Sequence, residues 1–215
     1  MGNIIGSNRV KPDPSKVEAI VNMREPECKK DIQRLIGMLN YLSQYIPDMS
    51  TVTAPMRSLL KVDVPFVWNT EHEHAFNKIK EILSTTPGLR LFDPNLKVQI
   101  QCDASKTGIG ACLLQEGQPV AYYSKALTPT EMNWFPIEKE CLAVVCAAEK
   151  FQHYIYGREV EVRSNHKPLE MITRKSIHKA SPRIQAMLLR LMKYNLYVNY
   201  QRGPTMYIAD TMSIV

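Results

Sequence analysis

The sequence predicts an α/β protein with a mixed sheet, preceded by a small and mostly helical segment. Two observations support this prediction. Up to about residue 85 the apolar residues recur mostly at helical spacing, whereas short runs typical of strands begin at residue 97. In this second part three strands, a helix, a strand, helices, a further strand and a last helix follow one another. That order is typical of helices packed on a five-stranded mixed sheet.

Length and composition are those of a globular chain with one or two cores. Of its 215 residues, 45% are hydrophobic and 22% are charged. The net charge of +6 suits a polyanionic partner, although many other proteins carry such an excess. Five cysteines without a CxxC pair predict free thiols in a reducing compartment. No signal-peptide pattern or long apolar stretch occurs, so we expect an intracellular protein, cytoplasmic or nuclear, without a membrane partner.

The first part, residues 1–95, is predicted to open with two short strands and then to be helical. Its helices are predicted to begin near Pro14 and to span 29–46, 54–61 and the residues from Thr70 to about 85. Proline fits a first helical turn but ends a helix that reaches it, so Pro47 is the predicted end of the second helix. Thr70, with Glu73 three residues later, predicts a capping box for the last helix.

The second part, residues 96–215, follows a predicted linker at 84–96 that is rich in Pro, Gly, Asp and Asn. Thr128 and Glu131 predict a second capping box. The predicted strands are 97–103, 108–115, 119–125, 159–164 and 195–201. The predicted helices are 136–155, one that opens at Ser181-Pro182, and 207–213.

Three acidic residues are candidates for a divalent-metal site. Asp103 ends the first strand of the second part, Glu140 lies in an apolar helix, and Asp210 lies near the start of the last helix. Carboxylates are ligands that Mg²⁺ prefers, and two such ions can promote phosphodiester hydrolysis. Ordinary structural roles are also open: Asp103 suits a turn, and Asp210 suits a helix start. Periodicity does not separate Glu140 from its neighbour Glu138.

Several strings occur in the order of one known family: LIGMLNYLSQYIPDMSTVTAPMRSLLK, FVWNTEHEHAFNKIKEIL, DASKTGIGACLLQ, IEKECLAVV, FQHYIYGREVEVRSNHKPL and IADTMS. The chain resembles the C-terminal part of the reverse transcriptase of gypsy-like LTR retrotransposons. The resemblance implies a thumb/connection-like segment in 1–95 and a ribonuclease H-like domain in 96–215. It further implies hydrolysis of the RNA strand of an RNA/DNA hybrid, with Asp103, Glu140 and Asp210 as catalytic ligands of Mg²⁺ or Mn²⁺.

Asn165 departs from the family pattern, which usually has Asp before HKPL. Asparagine keeps the size but removes a negative charge and introduces an NH₂ donor. We therefore expect weaker cation binding and a rate loss of about a hundredfold or more. The alternative function is a catalytically impaired or repurposed module that binds nucleic acid or a protein partner without cleavage. No YxDD string occurs, so we expect no polymerase activity from this chain by itself, and the remainder of a polyprotein is an expected partner.

A basic stretch after Asn165 is predicted to follow the phosphates of the hybrid, with a solvated helix face as the alternative. Its candidate residues are Arg174, Lys175, Lys179 and Arg183. Ser105 and Asn133 are weaker candidates for contacts with the backbone or the sugar edge of the hybrid.

Overall fold

The computed structural model describes residues 3–6, 9–85, 88–168 and 180–201. The strands in these ranges are β1 (Asn3–Ile5), β2 (Arg9–Pro12), β3 (Leu89–Arg90), β4 (Val98–Ala104), β5 (Gly108–Gln115), β6 (Gln118–Ala126), β7 (Glu159–Ser164) and β8 (Asn195–Tyr200). The helices are α1 (Pro14–Val21), α2 (Lys29–Tyr41), α3 (Met49–Val52), α4 (Ala54–Ser58), α5 (Thr70–Thr85), α6 (Pro129–Met132), α7 (Pro136–Lys150), α8 (Gln152–Ile155) and α9 (Pro182–Leu191). The helix predicted at 207–213 lies outside the described residues.

Three predicted helices are shorter than expected. The helix predicted at 54–61 ends at Ser58 as α4, where the N–H of Leu59 donates to the carbonyl of Met56. Helix α2 ends at Tyr41, not at residue 46, because the N–H of Leu42 donates to the carbonyl of Leu39 and the chain tightens into a 3₁₀ turn. Leu42 and Ile46 are both buried, so the apolar period continues beyond the helix. The helix predicted over 136–155 is likewise divided at Phe151 into α7 and α8.

One predicted capping box is wrong and the other is confirmed. Thr70 is the first helical residue of α5, and the Oδ1 of Asn69 accepts the N–H groups of the first turn. Before α6, the Oγ1 of Thr128 accepts the N–H of Glu131 at 3.2 Å, and the Glu131 carboxylate accepts the N–H of Thr128 at 2.8 Å. Asparagine accepts hydrogen bonds from the free N–H groups of a first turn as well as threonine does, so Asn69, and not Thr70, is the N-cap residue of α5.

The five-stranded sheet is mixed, as predicted, with the strand order β6-β5-β4-β7-β8. Strands β4, β5 and β6 are antiparallel neighbours, and β7 runs parallel to both β4 and β8. The hairpin between β5 and β6 turns at Glu116 and Gly117, whose φ angles of 50° and 71° suit a two-residue turn. β1, β2 and β3 form a separate antiparallel sheet, so the predicted boundary at 95/96 falls between β3 and β4.

The two faces of the large sheet pack against different parts of the chain. Alternate residues of β4, including Ile100 and Cys102, pack with α7 in one apolar core. Residues of the opposite face, including Cys112, Leu114 and Tyr122, pack with the helices of the first part. The first part therefore covers the sheet face opposite α7, and this packing brings α3 to the end of β4.

All five cysteines are free thiols, and Cys102, Cys112 and Cys141 are buried. Within the described ranges, no helix has both the length and the apolar character needed to cross a membrane.

Candidate active site

Asp103 and Asn165 lie side by side at the ends of two parallel strands. Cys102 of β4 pairs in register with Ser164 of β7, so the next residue of each strand reaches the same edge of the sheet. The Nδ2 of Asn165 donates a hydrogen bond of 2.8 Å to the Oδ1 of Asp103. An amide donor therefore occupies one acceptor position of the carboxylate that the sequence singled out.

Glu140 reaches the same edge from helix α7, which packs across β4. Its residue is only 5% exposed, and its Oε2 accepts a hydrogen bond of 3.4 Å from the Oγ of Ser164. The backbone N–H of Ala104 also donates to this carboxylate. Burial and, after it, the nearby charge of Asp103 raise the pKa of Glu140 to about 8. The structure thus brings Asp103 and Glu140 together, while Asp210 lies outside the described residues.

Asp48 is a third carboxylate beside Asp103, and no motif or spacing in the sequence pointed to it. It precedes α3 with a φ of 44°, in the left-handed region. Its carboxylate fills the space beside Gly110 where a side chain would otherwise lie, and Gly110 is the cross-strand partner of Asp103. Burial and the charge of Asp103 raise the pKa of Asp48 to about 7. Packing between distant parts of the chain creates this neighbour.

These carboxylates suit a divalent cation in charge and donor type. Within the described ranges, no Lys, Arg or His side chain forms an ion pair with Asp48, Asp103 or Glu140. Oxygen donors without a compensating cation are what Mg²⁺ binds, with waters completing its shell. In that part of the chain, however, no three His, Cys, Asp or Glu side chains are grouped as metal ligands. The fit therefore rests on Asp103 and Glu140.

His166 follows Asn165 and was not among the predicted site residues. The backbone N–H of His166 donates to the Oγ of Ser164 at 3.2 Å, and burial lowers the pKa of the His166 imidazole. Its Nδ1 is buried, and no hydrogen-bond partner for it is present in the structure as described. The hydroxyl of Ser164 is thus shared between His166 and Glu140.

Arg183, a predicted phosphate contact, is engaged within the fold. Its Nη1 lies 2.8 Å from the Oε2 of Glu138, and its guanidinium lies 4.4 Å from the ring centroid of Trp134. The side chain remains 45% exposed, so its role toward a hybrid stays a prediction. The other basic candidates, Arg174, Lys175 and Lys179, lie outside the described residues.

Ser105 and Asn133, the weaker candidates, have local partners. The Oγ of Ser105 accepts the N–H of Gly108 at 3.0 Å and lies 3.1 Å from the Oγ1 of Thr51. Ser105 therefore shapes the turn after β4 and joins it to α3. Asn133 is exposed at the end of α6, where its Nδ2 donates to the carbonyl of Pro129. Their contacts with nucleic acid remain predictions.

Comparisons with known proteins show which sequences and folds this chain resembles. Residues 68–162 match the RNase H-like domain found in reverse transcriptase. The chain is 33% identical over 214 residues to the retrovirus-related Pol polyprotein from transposon 297 of Drosophila melanogaster, covering 99% of the chain and 20% of that polyprotein. It is 29% identical over 221 residues to the transposon Tf2-3 polyprotein of Schizosaccharomyces pombe, covering 99% and 16%. The chain thus spans a fifth or less of these relatives.

Solved structures of similar fold come from a foamy virus. The protease-reverse transcriptase in complex with RNA/DNA hybrid aligns with 97% of this chain and 29% of its own, with a TM-score of 0.77 and 21% identity. The same kind of protein in complex with dsDNA aligns with 96% and 46%, with a TM-score of 0.72 and 20% identity. At such identities the similarity establishes the fold alone. The sequence matches go further: the chain is similar along 99% of its length to retrotransposon polyproteins, and residues 68–162 are similar to the RNase H-like domain found in reverse transcriptase.

Proposed function

We propose that this chain hydrolyses the RNA strand of an RNA/DNA hybrid with the help of Mg²⁺ or Mn²⁺. Asp103 and Glu140, with Asp210, would hold the cation. One observation carries the proposal: Asp103 and Glu140 converge at the end of β4, and in the described ranges no basic side chain forms an ion pair with either of them. We further propose that the chain by itself has no polymerase activity, since it contains no YxDD string.

The chain's own residues orient the carboxylates before a cation binds. The Ser164 hydroxyl and the Ala104 N–H hold Glu140, and the Asn165 amide holds Asp103. A bound Mg²⁺ would supply an activated water and stabilise the leaving oxygen. Because the pKa of Glu140 is raised to about 8, this carboxyl holds a proton at neutral pH when no cation is present. Cation binding must release that proton, so its affinity should rise with pH.

The substrate class is supported by one structural neighbour. The foamy viral protease-reverse transcriptase that shares this fold was solved in complex with an RNA/DNA hybrid. The net charge of +6 also suits a nucleic-acid partner.

Binding without cleavage is the second candidate function, and Asn165 favours it. Asparagine at this position carries no negative charge, so the site is less anionic than it would be with aspartate. The Asn165 amide also donates to Asp103 at 2.8 Å and so occupies an oxygen that a cation would use. A module of this kind would hold a hybrid or a protein partner and leave it intact.

Cleavage of a labelled RNA/DNA hybrid in Mg²⁺ and in Mn²⁺ tests the proposal. We expect slow cleavage by the natural chain, none by Asp103→Ala, and cleavage by Asn165→Asp that is faster by about a hundredfold. The gain follows because the carboxylate restores both a charge and an oxygen ligand. An Asn165→Asp variant that is folded yet silent in both metals would reject the nuclease and leave the binding module.

Cation binding can be measured independently of cleavage. Calorimetric titration with Mn²⁺ should show binding that depends on Asp103. The affinity should be higher at pH 8.5 than at pH 6, because Glu140 must release its proton when the cation binds. Equal binding by Asp103→Ala would place the cation elsewhere.

A further inference from the structure

A polar groove runs along β6, the outer strand of the five-stranded sheet. One wall is formed by the end of α2, the 3₁₀ turn after it and α4. The other wall is formed by the end of α7 and by α8. The groove has a volume of about 770 Å³, and β6 from Ala121 to Ala126 forms its floor.

The charge of this groove has one sign. Its lining includes Arg57, Lys125, Lys150 and His153, and no Asp or Glu is among the described residues that line it. Lys125 is paired with Glu131 at 2.7 Å, so part of this charge is already compensated. Arg57 and Lys150 are then the charged side chains of the lining that could attract an anion.

Arg57 is the most informative of these residues because it is partly buried without a carboxylate. Its Nε donates to the Oγ1 of Thr53 at 2.9 Å, which fixes the guanidinium plane at the groove wall. Burial lowers its pKa, and none of the ion pairs in the described part of the chain includes it. A guanidinium removed from water is costly unless an anion pairs with it, and its fork of donors matches a phosphate.

The groove is aligned with the candidate active site. Ser124 of β6 pairs with Gly110 of β5, and Gly110 pairs with Asp103 of β4. Two strand spacings of about 4.8 Å separate Ser124 from Asp103, so the groove begins about 10 Å from the carboxylate.

We propose that this groove binds the sugar-phosphate backbone of one strand of the RNA/DNA hybrid, with Arg57 and Lys150 as phosphate ligands. This inference rests on the proposed function and adds the surface that positions the substrate. Lys150 lies at the opposite wall, with its Nζ 6.0 Å from the ring centroid of Tyr123. The two cations therefore flank β6 from both sides.

An extended peptide paired with the outer edge of β6 is a different occupant, and the test must distinguish it from the hybrid. Strand addition relies on backbone hydrogen bonds and on apolar pockets for alternate side chains. The groove walls instead carry Arg57, Lys150 and His153, which favours the polyanion.

Fluorescence anisotropy with a labelled RNA/DNA hybrid in EDTA tests this inference without cleavage. We expect Arg57→Ala and Lys150→Ala each to weaken binding by about tenfold. Each should also reduce the slope of log affinity against log salt by about 0.9. Lys150 is exposed, so its variant leaves the fold intact if Arg57→Ala unfolds. The matched control is Arg158→Ala, a partly buried arginine beside Phe92 that lies outside the groove and should bind normally.

Affinity and salt slope unchanged in both variants would overturn the inference. So would variants that lose only self-association in light scattering, because that result assigns the β6 edge to a protein strand. Loss of hybrid binding in Arg57→Ala beside a natural chain that never cleaves would leave the groove standing and reject the nuclease alone.

Discussion

Two glutamates on helix α7 have the same burial and opposite surroundings. Glu138 and Glu140 are each 5% exposed and lie two residues apart. Glu138 accepts hydrogen bonds from the Phe135 N–H at 3.2 Å and from Arg183 at 2.8 Å. Glu140 accepts from a backbone N–H and a hydroxyl, and its charged neighbour is Asp103.

The difference separates a carboxylate that the fold pairs with a cation from one that it leaves without an ion pair. The cation beside Glu138 joins α7 to α9, so that charge is satisfied within the fold. Glu140 and Asp103 share an edge where like charges repel, and a bound cation would remove that repulsion. Charge compensation, and not burial, distinguishes the two sites.

The largest expected effect is on the pH dependence of stability in Glu140→Gln. The pKa of Glu140 is about 8 in the folded chain, above its value in the unfolded chain. The contribution of Glu140 to the free energy of unfolding is therefore complete below about pH 4.5 and is lost as the pH rises to 8. Glutamine resembles the protonated form and loses nothing. In EDTA, the free energy of unfolding of the variant should therefore rise relative to that of the natural chain by up to about 4 kcal/mol between pH 4.5 and 8.

Urea unfolding at several pH values measures this gain, and Mg²⁺ at pH 8 should reduce it by stabilising the natural chain. A difference between the two chains that does not change with pH would show that Glu140 is compensated like Glu138.

Glu138→Gln should cost about 2 kcal/mol of unfolding free energy. The variant leaves Arg183 without its carboxylate, and the cost is below that of a fully buried pair because Arg183 is 45% exposed. A variant as stable as the natural chain, measured by urea unfolding, would mean that the ion pair does not hold α9 on α7.

Much of the fold was predictable because local signals agreed with long-range packing. The run of β5 ends at a Glu-Gly turn with positive φ at both residues, and β5 spans 108–115 as predicted. Errors arose where several local solutions were open. Asn69 and Thr70 both suit a helix cap, and the apolar period of α2 continues through Leu42 although the helix does not.

The site was predictable only where a motif supplied what periodicity could not. Helix α7 is apolar on most sides, so the resemblance, and not the pattern, favoured Glu140 over Glu138. Asp48 is more than fifty positions before Asp103, and only the docking of the first part on the sheet brings them together. Arg57 and the groove along β6 have the same origin.

The smallest expected effect concerns Gly110, where the first part touches the site. A Cβ at this position would overlap the Oδ1 of Asp48, so Gly110→Ala should cost about 1 kcal/mol. Because the obstacle is the end of a side chain, adding Asp48→Ala should restore most of that loss. Gly37→Ala is the control: nothing lies near its Cβ in α2, so it should stabilise by about 0.5–1 kcal/mol. Urea unfolding of the four chains measures these values. If the cost of Gly110→Ala persists when the Asp48 carboxylate is absent, Asp48 does not contact the strand beside Asp103. Asp48 would then not count as a third carboxylate of this site.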